Sequence, residues 1–188
     1  KSLKNYPKAL DYYAEALHLR QTDLLAGKLH FFQDWVQVLN NISALKDSTE
    51  AKKQYAETVR AGLLMASSCD SLRGLDKRLL ERGASEYGSA SWWAIFAQNY
   101  ALAETAGLRC LALDASNQYV WTNIGHARYL AGRPAEAHEA WRQLKGQKDG
   151  DGRDYKEILD SDWQALEAAG GAPKGAFDAA RKWLAGAW

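Results

Sequence analysis

Two stretches of this chain match each other at a spacing of 34 residues. Tyr87–Asn117 aligns with Trp121–Leu144, which pairs Tyr87 with Trp121, Ser91 with Gly125 and Ala103 with Ala137. Between them, Gln98-Asn99-Tyr100 falls opposite Gly132-Arg133-Pro134, a turn signature joining two helical runs. A third stretch, Asn5–Leu19, repeats the second half of the unit through Tyr6, Ala9, Ala16 and Leu17. A unit of this size cannot bury its apolar face alone, so its copies must stack. Antiparallel helices approach closely only where small side chains meet, here Gly125 against Ala137. Large residues such as Trp121 and Trp141 then fill the space between hairpins.

Composition agrees with an all-helical reading. The chain has 4 Val, 4 Ile and 5 Thr against 24 Leu and 32 Ala. Strands draw on β-branched residues to cover a pleated surface, whereas Ala and Leu lose little entropy in a helix. A sheet-based fold is therefore not expected.

The matched positions resemble the tetratricopeptide repeat: an aromatic, a small residue on the first helix, then Ala on the second. The copy starting at Trp121 fits best, through Asn123, Ile124, Gly125, Ala127, Tyr129, Gly132, Glu136 and Ala137. Over roughly 85–185 the chain also resembles C-terminal repeat domains of large bacterial multidomain proteins, which often sit beside caspase-like peptidase, β-propeller or signalling modules. The resemblance implies an α-solenoid that binds protein and carries no reaction of its own.

The repeat register breaks between Ala9 and Ala103, which are 94 residues apart. Leu25, Leu29, Phe32, Val36 and Leu39 step by four and three, predicting one amphipathic helix over about 23–45. Asp47 with Glu50 reads as the capping box of the next helix, which Ala51, Tyr55, Val59 and Leu63 continue. Ser67-Ser68-Cys69-Asp70 is a potential break, and Leu72, Leu75 and Leu79 lead to Gly83 as a stop. The expected organisation is one domain over 1–188. It comprises a partial repeat (1–20), an irregular helical insertion (21–83), two repeats (84–144), and a loop with capping helices (145–188). The cap is read as helices over 154–169 and 174–185, separated by Gly170-Gly171-Ala172-Pro173. The chain opens on Lys1 midway through a repeat, so the helix pairing with 6–19 is expected either to have been cut away or to belong to another segment.

The chemistry-bearing residues form no complete site. His18, His30, His126 and His138 lack metal-ligand spacing, and His126 reads as a surface or groove residue. Asp149, Asp151 and Asp154 start like a calcium loop, but Arg153 and Asp154 stand where an oxygen ligand and Gly are needed. An acidic turn is expected there. Glycines 146, 150 and 152 precede no Gly-Lys-Ser/Thr, and no nucleophile motif appears. The expectation is no enzyme, no cofactor, no metal and no small-molecule substrate.

The 24 basic and 23 acidic residues are interspersed, giving a net charge of +1, so no nucleic-acid partner is expected. No run of eighteen apolar residues predicts a membrane span. Cys69 and Cys110 read as buried thiols, which points to the cytoplasm.

Eight tryptophans stand out. Trp92 and Trp93 are neighbours, and about 100° of helical rotation keeps both from facing one core. One is expected to pack and the other to line the concave face. With the first helix of each repeat forming that face, the candidate partner groove is Trp92, Phe96, Tyr119, Thr122, Asn123, His126 and Tyr129. Chaperone-binding relatives of the repeat hold acidic C-termini with lysines and asparagine; Asn123 is present here but the lysines are not. The function expected is a protein–protein interaction scaffold binding another protein or another domain of its own chain. The alternative is an intramolecular regulatory domain controlling an attached effector such as a caspase-like peptidase.

Overall fold

The computed structural model describes residues 6–28, 30, 32–46 and 54–188. Among the described residues every regular element is a helix, and the one extended pairing is an isolated antiparallel bridge between Lys148 and Asp154. The chain is all-α, as its poverty in β-branched residues predicts.

The single helix expected over about 23–45 is two helices, α1 (Tyr6–Leu25) and α2 (Phe32–Lys46). Gly27 takes φ 81°, a left-handed conformation that ends α1, and its N–H bonds the Leu24 carbonyl at 3.0 Å. Leu25 of the expected stripe is 63% exposed. The buried face of α2 is Trp35, Leu39 and Ile42, packed against Leu10, Leu17 and Leu24 of α1. Leu29, and the capping-box pair Asp47 and Glu50 with Ala51, lie outside the described residues.

Helix α3 (Tyr55–Leu72) runs unbroken through Ser67-Ser68-Cys69-Asp70; the chain turns at 73–76 instead. Helix α4 (Lys77–Phe96) then starts behind Asp76, whose side chain accepts the Arg78 backbone N–H. Gly83 is therefore no stop, and the expected boundary at 83/84 falls inside α4. A Cβ on Gly83 would lie 3.3 Å from the Cys69 Cβ, so the bare glycine lets α4 close on α3.

Helices α5 (Tyr100–Leu113), α6 (Val120–Leu130) and α7 (Pro134–Arg142) follow. The turns of α4/α5 and α6/α7 match bond for bond at the sequence spacing. The Ala97 and Ala131 N–H groups bond Trp93 O and Ala127 O at 3.1 and 3.0 Å. Those of Asn99 and Arg133 bond Ala94 O and Arg128 O, both at 2.9 Å. Gln98 and Gly132 take the same left-handed conformation, at φ 57° and 79°. In the first hairpin the Ser91 hydroxyl donates to Ala103 O at 2.7 Å. In the second, the nearest group to Gly125 is the Trp141 indole: a Cβ on Gly125 would stand 2.7 Å from Trp141 Cε2. The missing side chain makes room for the largest one.

Helices α8 (Tyr155–Ala168) and α9 (Asp178–Ala187) form the cap, α9 starting later than the predicted 174. Asp154 caps α8 by accepting the Lys156 N–H at 2.7 Å. Leu159, Trp163, Leu166, Phe177 and Leu184 pack with Trp141 and Phe96 into one aromatic-rich core. Ring centroids are 5.2 Å apart for Trp141–Trp163 and 5.4 Å for Trp163–Phe177. This core covers the face of α6 that bears His126. Among the described residues no helix is long and apolar enough to cross a membrane.

Candidate functional site

A cleft of about 310 Å³ opens where α4, the start of α6, the 145–154 loop and α8 converge. Helix α4 supplies Gly88, Ser89, Trp92 and Trp93 along one edge. The turn into α6 supplies Tyr119, Thr122 and Asn123, and the loop contributes Asp149 and Arg153. Helix α8 adds Tyr155, Ile158 and Asp162.

Gly88 is what lets Tyr119 into this wall, since a Cβ there would overlap the phenol hydroxyl. Burial first, then the neighbouring Cys110 and Glu86, push the Tyr119 pKa up to about 12, so the phenol stays neutral. Beneath it the Asn123 amide donates to Gly88 O at 3.3 Å. The Thr122 hydroxyl donates to Tyr119 O at 2.8 Å and lies 3.2 Å from Asn123 Oδ1. The Asn123 bond ties α6 to α4 beside the cleft.

Helical rotation separates the paired tryptophans as the sequence requires, though both are half-buried and both reach the cleft. Trp92 meets Phe96 edge-on at 5.0 Å and stands 6.3 Å from the His126 ring, whereas Trp93 stacks on Tyr55 of α3 at 5.9 Å. Neither indole N–H has a hydrogen-bond partner among the described residues, and neither is sealed from solvent.

His126 is fully buried, which corrects its reading as a surface or groove residue. Its Nδ1 lies 3.0 Å from Trp163 Nε1 and its Nε2 3.2 Å from Asp162 Oδ2. An indole N–H only donates, so Nδ1 must be the bare acceptor and Nε2 carries the proton that Asp162 accepts. Both ring nitrogens are committed, leaving none to serve a reacting group. Of the other groove candidates, Phe96, Thr122 and Asn123 are also buried. Tyr129 lies under Phe177 at 5.4 Å, away from the cleft. For His126 and Tyr129 the cause is that the α8 and α9 segment, outside the repeat register, seats Trp163 and Phe177 on the face expected to be open. Trp92, Tyr119, Thr122 and Asn123 are the groove candidates that line the cleft.

The acidic loop is a built turn. Asp149 Oδ1 accepts the backbone N–H of Asp151 at 2.9 Å and of Arg153 at 2.8 Å. Its Oδ2 accepts the Arg153 guanidinium at 2.8 Å. Those bonds, led by the Arg153 backbone, hold the Asp149 carboxyl below its ordinary range. No three potential metal ligands cluster among the described residues. Sequence reasoning did not single out Asp162, Arg153 or Tyr155 for this site; the signal available was the α8 cap at Asp154, which fixes how that helix enters.

No protein-family model matches the chain, and no curated protein or solved structure matches it either.

Proposed function

We propose that this chain is a non-catalytic interaction module of the tetratricopeptide-like kind, which binds another protein, or another domain of its own polypeptide, in the cleft between α4, α6 and α8. The observation that carries the reading is the aromatic cleft itself, with the Trp92 and Trp93 indole N–H groups without a hydrogen-bond partner among the described residues. Aromatic rings with a polar handle supply large contact area at small entropic cost, and such anchors dominate binding at interfaces. The matched turns of α4/α5 and α6/α7 support the solenoid half of the reading, because equal backbone geometry at equal spacing is what stacked repeats have. The commitment of both His126 nitrogens supports a binding role over acid–base work.

Photo-crosslinking tests it. Ser89→p-benzoylphenylalanine places the probe in the cleft, and Lys182→p-benzoylphenylalanine places a control on the exposed side of α9. The expected result is a discrete protein adduct from position 89, absent from position 182 and lost on Trp92→Ala in a chain that still melts cooperatively. No adduct, or equal adducts from both positions, overturns the reading.

A further inference from the structure

The charges of the cleft are unequal: two carboxylates, Asp149 and Asp162, face one guanidinium, Arg153. Arg153 is already engaged by Asp149 at 2.7 Å. Asp162 has no lysine or arginine within 4 Å among the described residues, and Arg153 acts on it only across a longer distance; its hydrogen-bond partner is His126. That partner is held in its neutral tautomer by the Trp163 N–H, so it brings Asp162 a hydrogen bond without a compensating charge. The Asp162 side chain is 23% exposed and lines the cleft, so its charge is presented to whatever enters. Tyr155 carries the mark of the same field: burial, then the Asp149 charge, raises its pKa. Lys148 borders an adjoining depression and not this one.

A carboxylate among the aromatic rings that line a cleft is complementary to a cation. We infer that the cleft accepts a basic side chain, lysine or arginine, of the bound protein, its cation paired with Asp162 and laid against the Trp92 and Tyr119 rings. This deepens the proposed function and rests on it. Ring quadrupoles attract cations within about 6 Å, and an ion pair in a partly dry site is screened less than one in open water. A space of about 310 Å³ corresponds to roughly ten waters of liquid volume, enough for the end of one such side chain.

The test follows the tryptophan indole N–H signals of the full chain by NMR during titration with three probes: N-acetyl-lysine amide, N-acetyl-arginine amide and the uncharged N-acetyl-norleucine amide. The basic probes are expected to shift the Trp92 and Trp93 signals saturably and to bind at least about fivefold tighter than norleucine. Asp162→Asn keeps an acceptor for His126 and removes only the charge, so it should weaken the basic probes at least about fivefold. Arg153→Gln should strengthen them, and this opposite sign stands even if Asp162→Asn disturbs the fold, which the signal of Trp141, packed beside His126 in the same core as α8, reports. Norleucine binding as well as lysine overturns the inference and leaves the cleft as an apolar anchor site. No response to any probe, or equal effects of the two variants, also overturns it. Either failure is distinct from failure of the interaction reading, which the crosslink from position 89 decides.

Discussion

Gly125 of α6 lies directly against the indole of Trp141 of α7, so close that a Cβ on the glycine would overlap Trp141 Nε1. The fully buried Trp141 is thus seated by the absence of a side chain on the facing helix. Gly125→Val should destabilise the chain by roughly 1–3 kcal/mol, through overpacking. Gly186 of α9 has open space around its Cβ position, and Gly186→Ala should instead stabilise by about 0.5–1 kcal/mol. Urea unfolding of the two variants reads the contrast; like signs would contradict the packing described.

The Trp163–His126 hydrogen bond gives a second prediction. Trp163→Phe keeps most of the ring and removes the donor, leaving His126 Nδ1 buried without a partner. The expected cost is about 1–3 kcal/mol beyond the lost ring area. His126→Phe should then cost less in the Trp163→Phe background than in the unaltered chain, because the pair is already broken. Additive costs in a denaturation cycle would show that the two side chains do not depend on each other.

Acid sensitivity should trace in part to Glu104. Desolvation raises the pKa of this carboxyl, but the hydrogen bonds of Arg133 and Arg128 outweigh it and hold it below its ordinary value. The Arg128 Nε bond measures 2.7 Å. A group whose folded pKa is depressed stabilises the fold fully above its unfolded value, about 4.3, and that contribution fades as pH falls through the folded value. Glu104→Gln should therefore lower stability at pH 7 and narrow its gap to the unaltered chain as pH falls below about 4.3. A gap constant with pH would refute the assignment.

Both thiols should be silent in the native state. Cys69 and Cys110 are buried and unpaired, and burial pushes each thiol up to about 11. At pH 8 a disulfide reagent should label neither until denaturant is added, and then both. Rapid labelling of the folded chain at either position would show an opening that the packing does not contain.

How much of this was readable in advance depended on whether the signal was local. The paired turns were, because a left-handed residue followed by a helix start leaves the same trace at Gln98-Asn99 and Gly132-Arg133. The break at Gly27 was not, because apolar spacing runs across it in phase and cannot tell one helix from two. Gly83 misled for the opposite reason: a glycine that ends a helix and one that admits a neighbouring helix look alike until Cys69 is seen beside it. The largest gap was the face of α6. Its residues resemble a concave lining, and only tertiary packing places Trp163 and Phe177 on top of His126, which moves the open surface to the side where α8 brings Asp162.

The way α8 meets α6 has a further consequence. Apolar contact is non-directional, so a greasy cap alone would tolerate sliding by a turn along its seat. The imidazole of His126 forbids this, because it demands a donor at one nitrogen and an acceptor at the other, and the adjacent residues Trp163 and Asp162 supply both from a single position of the helix. Any other seating leaves both ring nitrogens without partners in a dry interior. The polar pair thus acts as an index mark: it selects one alignment among several of similar hydrophobic worth, and so sets which carboxylate the cleft presents.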